Sequence, residues 1–267
     1  MFRVTGLAMA AVVMMGAAPA DWRALDPENT LVIETTRGRI IVELRPEFAP
    51  RGVDRIRLLA REHVYDGLQF HRVIEGFVAQ TGNPNNRDGG VSSHPDLPPE
   101  FSFRIPVAMA TIAVDRSDGR EGFVGATPFA AVSGQEQSKS TDPRLRAWGA
   151  YCPGVMGMGR QAAPGSANSE IFFMREASRR LDHEYTVVGR AVVGLEVIRA
   201  VAVGEPPATP DLMLRVRVAS DLPEAERPRI EVMNPGGPAF GARHAALKQE
   251  KGAAFTISDL QPPVRQP

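Results

Sequence analysis

Phe70-His71-Arg72-Val73-Ile74-Glu75-Gly76-Phe77-Val78-Ala79-Gln80-Thr81-Gly82-Asn83 is the densest stretch of this chain. Leu68 to Ile74 and Phe77 to Thr81 read as short strands, and Glu75-Gly76 between them is a turn signal. Pairing the two strands brings Arg72, Phe77 and Gln80 to one surface. Side chains alternate along a strand, so His71 points away from Arg72 and reads as structural rather than as a base.

Strands and turns extend outward from this segment. Thr30 to Thr36 and Arg39 to Arg45 are β-branched and alternating, and Arg37-Gly38 separates them, which predicts a hairpin. Pro50 to Glu62 spaces Val53, Ile56 and Leu59 as an amphipathic helix, with Pro50 suited to its first turn. Asn83 to Pro99 is loop. Val107 to Val114, Val155 to Met158, Ile171 to Met174, Thr186 to Val193 and Leu212 to Ala219 predict further strands, and Gly194 to Val203 a short second helix. Short strands without alternating helices favour an antiparallel barrel or sandwich over a parallel sheet. The domain is expected over 21–220. Residues 115–150 read as a long, irregular and polar insertion with room for a hairpin of its own, and 221–267 as a poorly ordered extension rich in Pro, Gly and charge.

Composition narrows the function. Thirty-one basic and 31 acidic residues give zero formal net charge, and aromatics are 6% of the chain. Neither a field for nucleic acid or an anionic membrane nor a base-stacking platform follows from that. The five histidines lack metal-ligand spacing, no glycine run continues into a phosphate loop, and Ser166 and Ser169 lack a nucleophile elbow. No metal and no cofactor are therefore expected. Residues 1–20 read as a signal peptide: Arg3, an apolar run from Leu7 to Met15, then Ala18-Pro19-Ala20. The run is shorter than the ~20 apolar residues that a membrane span needs. Export to the periplasm is expected, with no membrane span after cleavage. Cys152 is the only cysteine, so no internal disulfide forms and the thiol is expected to be buried.

The central motif resembles that of the cyclophilin family of peptidyl-prolyl cis-trans isomerases. Thr35 to Glu43 resembles the family's opening hairpin, and Pro99-Glu100-Phe101 its acidic-aromatic step. Gly154 to Gly159, Ser169-Glu170-Ile171-Phe172-Phe173, Leu181-Asp182, Val188-Gly189-Arg190 and Gly194 to Ile198 follow in family order. The similarity runs from Leu31 to Ala219, apart from 115–150. It implies a closed antiparallel eight-stranded β-barrel capped by two α-helices, with a groove for proline-containing polypeptides.

The resemblance also implies roles. Arg72 donates to the prolyl nitrogen or carbonyl and Gln80 holds the substrate backbone. Phe77, Val78, Phe172 and Leu181 form the floor under the proline ring. Gly159 and Arg160 contact the residue before proline, and Glu170 and Tyr185 complete the walls. Three departures stand out: Glu170 for glutamine, Arg180 where some members carry tryptophan, and Tyr185 for histidine. A carboxylate near Arg72 either competes with substrate or tunes the guanidinium. The resemblance extends to inhibition by cyclosporin-like cyclic peptides, with Arg180 and Tyr185 as the departures that bear on it. A second reading keeps the fold but makes it a proline-peptide-binding chaperone or assembly module of weak or absent activity.

Overall fold

The structure, a computed structural model, describes residues 20–87 and 92–267. The signal expected over 1–20 lies, apart from Ala20, outside the described residues. Mainly β structure surrounds the site, organised as sheets of nine, five and three strands.

The nine-stranded sheet starts from the predicted hairpin. Thr30–Thr35 and Gly38–Leu44 pair antiparallel from Thr30↔Glu43 to Thr35↔Gly38. Across the sheet the order is Leu68–Gln69, Leu212–Val218, Thr30–Thr35, Gly38–Leu44, Val187–Val193, Val155–Met158, Ile171–Met174, Val78–Thr81 and Arg72–Val73. Leu68–Gln69 and Arg72–Val73 are neighbours in the chain but sit at opposite edges, so the sheet is curled and Phe70-His71 spans its two edges. This corrects the expected closed eight-stranded barrel: among the described residues the sheet has nine strands and no ladder joins its two edges. The edge strands are only two residues long, too short to zip the cylinder shut.

Helix α1 (Pro50–Arg61) packs Val53, Ile56, Leu59 and Ala60 onto the sheet interior. Pro50 stands in its first turn, and the Glu100 carboxylate accepts from the free N–H groups of Arg51 (3.2 Å) and Gly52 (2.9 Å). The acidic-aromatic step of the sequence is therefore a helix cap reaching in from a distant loop. Helix α2 (Gly134–Ser138) lies in the insertion. Helix α3 (Leu195–Ala200) buries Val197 and Ile198.

The insertion holds the hairpin that the sequence left room for, Gly119–Val124 with Thr127–Ala131, and is more regular than its polar composition suggested. Phe103–Ile105, Leu145–Gly149, Thr127–Ala131, Gly119–Val124 and Thr111–Arg116 form an antiparallel five-stranded sheet in that order. Phe123, Phe129 and Leu145 from it join Phe48, Tyr151 and Phe172 in a second core. The extension over 221–267 is ordered as well. Glu231–Met233 pairs with both Trp22–Ala24 and Val264–Arg265. Helix α4 (Pro238–Lys251) sets Phe240 edge-on to Phe123, with ring centroids 5.5 Å apart. Ile257 and Leu260 are buried in the same core. Composition misled here because a few apolar anchors, rather than a periodic face, hold the segment down.

Candidate active site

The turn after Arg72–Val73 is tight. Phe77 N–H donates to the Ile74 carbonyl (3.1 Å), and Gly76 supplies φ = 64°, a backbone that side chains rarely adopt. The strand then returns with Gln80 opposite Arg72 and also opposite Phe172 on the other side. Three neighbouring strands thus place a guanidinium, a carboxamide and an aromatic ring side by side.

A polar chain runs along this row. Arg72 Nη1 donates to Gln80 Oε1 (3.0 Å), and Gln80 Nε2 donates to Glu170 Oε1 (2.5 Å). Glu170 is buried, and its other oxygen lies 3.4 Å from Nε2 of buried His71. Arg72 Nε donates to Glu205 Oε2 (2.7 Å). The carboxamide of Gln80 is held in one orientation by a donor on one side and a carboxylate on the other. Such charge-assisted bonds are short and strong.

The apolar floor lies beside the polar chain. Phe172 is stacked on Tyr151 (5.7 Å between centroids) and meets Tyr185 edge-on (5.6 Å). Tyr151 is fully buried, and burial pushes its phenol well above the ordinary value, so it stays neutral under the floor. The Arg180 guanidinium sits 4.7 Å from the centroid of Phe77, and that of Arg160 4.6 Å from the centroid of Tyr185. Gly159 allows close packing: a Cβ there would collide with the Glu170 carboxylate. Its N–H donates to the Glu170 carbonyl (2.8 Å), tying the two strands together at the cleft.

All of the residues singled out from the sequence meet here. Arg72, Gln80, Phe77, Val78, Gly159, Arg160, Glu170, Phe172, Leu181 and Tyr185 line one cleft of about 820 Å³. Arg180 and Gln161 line it too. His71 is buried against Glu170, behind the cleft. Sequence reasoning missed Glu205, Gln161 and the support that the insertion gives to the turn behind the cleft. Arg179 pairs with Glu121 of the insertion and with Asp182 (2.7 Å), which anchors the turn carrying Arg180 and Leu181. Asp182 in turn accepts from the Tyr151 N–H (3.0 Å). No local motif marks Glu205 or Glu121, because each reaches the site only through the fold.

The geometry defines a class of protein: a curled antiparallel sheet that carries an arginine-glutamine-aromatic cleft. Comparison with known proteins agrees. The family model "Cyclophilin type peptidyl-prolyl cis-trans isomerase/CLD" matches residues 30–220. The chain is 32% identical over 234 residues to a Brucella suis biovar 1 protein named "Probable peptidyl-prolyl cis-trans isomerase", covering 81% of this chain and 96% of that one. It is 33% identical over 132 residues to the human peptidyl-prolyl cis-trans isomerase-like 1, covering 45% of this chain and 75% of the relative. The crystal structure of cyclophilin AquaCyp293 from Hirschia baltica superposes with a TM-score of 0.83 at 34% identity, covering 91% of this chain and 92% of that one. This chain belongs to the cyclophilin-type peptidyl-prolyl cis-trans isomerases. Its activity is the cis-trans isomerisation of Xaa-Pro bonds.

Proposed function

We propose that the chain accelerates Xaa-Pro isomerisation in exported polypeptides, with Arg72 as the catalytic residue and Gln80 beside it. Resonance holds the peptide bond planar behind a barrier of ~18–20 kcal/mol, so the uncatalysed Xaa-Pro reaction takes about tens to hundreds of seconds. No bond is broken. A catalyst needs only to hold the twisted amide more tightly than the planar one. As the amide twists, the prolyl nitrogen regains its lone pair and becomes an acceptor. Arg72, oriented by Gln80 and Glu205, donates to that nitrogen or holds the prolyl carbonyl.

Phe77, Val78, Phe172 and Leu181 grip the ring, and this apolar contact holds the proline still while the preceding residue rotates. Gly159 and Arg160 contact that preceding residue, with Tyr185 and Glu170 as walls. The observation that carries this reading is the Arg72–Gln80–Glu170 chain lying beside the Phe172 floor in one cleft. A cyclosporin-like cyclic peptide is expected to compete for the same floor, less tightly where Arg180 and Tyr185 depart from the family pattern. The periplasm is the proposed compartment, supported by Arg3, the Leu7 to Met15 run and Ala18-Pro19-Ala20. Among the described residues no helix is long and apolar enough to cross a membrane.

The test is a prolyl-isomerisation assay on an Xaa-Pro peptide series. The mature chain is expected to accelerate exchange, and Arg72→Ala to lose ~100-fold or more, the scale of removing one preorganised transition-state donor. Peptide binding without acceleration by the unaltered chain would instead make it a proline-binding module.

A further inference from the structure

A second cleft, of about 930 Å³, opens on the other half of the curled sheet, and no residue lines both clefts. Its floor is apolar: Val32 and Ile41 from the opening hairpin, Leu222 and Ile230 from the extension. Six guanidiniums surround that floor, those of Arg39, Arg215, Arg217, Arg227, Arg229 and Arg265; Glu34 and Glu226 line it with them, and Asp66 and Glu231 just outside pair with Arg217 (2.8 Å) and Arg265 (2.6 Å). Six guanidiniums against these four carboxylates leave a local excess of positive charge on a chain that is neutral as a whole.

Most of these arginines have replaceable partners. Arg39 pairs with Glu34 (2.7 Å), and Arg215 reaches Glu226 only at 3.7 Å. Both arginine side chains are about half exposed, at 53% and 47%. Arg227 donates to the neutral carbonyls of Leu222 and Ser220. The Arg229 guanidinium has no ion pair or hydrogen bond among the described residues, and Arg229 is exposed. Exposed pairs of this kind are weak and exchange readily for an incoming carboxylate.

One wall of the cleft is an edge strand. Val264–Arg265 is the outer strand of the three-stranded sheet, so its far side is open to a further strand. An apolar floor, a basic rim and an open strand edge together fit a particular kind of ligand. In an extended segment successive side chains point to opposite sides, so apolar residues can enter the floor while acidic ones meet the rim. No aromatic ring lines the cleft on which a nucleobase would stack.

We propose that this cleft is a docking site for an extended polypeptide segment in which acidic and apolar side chains alternate, held independently of the proline cleft. A client engaged there presents its Xaa-Pro bonds to Arg72 at raised effective concentration.

The test measures fluorescence anisotropy of a labelled peptide of alternating Asp and Leu, free of proline, against the full chain. Binding is expected, falling as salt rises from ~0.05 to ~0.3 M and the Debye length shortens. The triple variant Arg39→Glu, Arg215→Glu, Arg229→Glu is expected to weaken it ~10-fold or more, with turnover of a short Xaa-Pro peptide unchanged. If that variant does not fold, Arg229→Ala serves, and a ~3-fold loss is expected of it. Absence of binding, or equal binding by a folded variant, overturns the proposal. So does tighter binding of inorganic polyphosphate or of phosphatidylglycerol vesicles than of the peptide, since either source of negative charge would dispense with the apolar floor. The binding outcomes do not depend on catalysis at Arg72; only the turnover control does.

Discussion

Glu170 is where this cleft departs most from its family pattern, and the structure gives the carboxylate a defined task. It accepts from Gln80 Nε2 and faces His71, so it fixes which end of the Gln80 amide meets Arg72. Glu170→Gln keeps an acceptor and removes a negative charge one side chain away from the Arg72 guanidinium, the proposed catalytic group. We expect kcat/KM on an Xaa-Pro peptide to rise ~2-fold to ~5-fold in that variant and to fall ~10-fold in Glu170→Ala, which leaves the amide unheld. Cys152 behaves as expected of a buried thiol. Burial pushes it up to about 11, and Ser258 Oγ lies against its sulfur. It is therefore expected not to react with a thiol reagent at neutral pH until the chain is unfolded, which a timed labelling experiment with and without denaturant checks. At this scale the sequence was most readable around Arg72, Phe77 and Gln80, because strand alternation and one turn place all three. Glu205 was illegible: it meets Arg72 from a loop remote in the chain, with no pattern of its own.

Among the elements, the insertion and the extension changed most between sequence and structure. Strand spacing in the curled sheet was legible because β-branched residues alternate there, as in Thr30–Thr35. The insertion hid its sheet. Its strands interleave Gly122, Pro128 and charged Arg120 and Glu121 with the few rings that pack, so no clean period appears. It also supports the turn that carries Arg180 and Leu181 into the cleft, through Glu121 on Arg179. Glu121→Ala is expected to raise KM ~3-fold to ~10-fold with a smaller change in kcat, since it loosens Leu181 without touching Arg72. Helix α4 depends on a single buried ring. Phe240 is 2% exposed against Phe123, and Phe240→Ala is expected to cost ~3–5 kcal/mol in chemical denaturation.

Across the whole molecule, one buried carboxylate joins the three sheets. Glu43, in the opening hairpin, accepts from Arg23 of the first strand (Nη2 to Oε2, 2.9 Å), pairs with Arg45 and takes the Ala126 N–H of the insertion (2.9 Å). Burial raises its proton affinity, but Arg45 and Arg23 outweigh that and hold the carboxyl below its usual 4.5. A depressed folded value means that the stabilisation is complete above the unfolded value and is lost as pH falls through the folded one. Denaturation midpoints are thus expected to be flat in this contribution above pH 4.5 and to drop below it, with a shallower acid limb in Glu43→Gln. The cost of Glu43→Gln at neutral pH should also appear as a lower midpoint, because Arg23 and Arg45 lose their counter-charge. The clasp of Trp22–Ala24 on Glu231–Met233 has a further consequence, one of timing. A chain made from its amino end exposes Trp22–Ala24 early, while the strand that receives it is still to be translated. The curled sheet can close most of its ladders before then, but the three-stranded sheet waits until Glu231–Met233 and Val264–Arg265 have been made. Until then Trp22–Ala24 has no strand to pair with, so this sheet is the part of the fold that forms late.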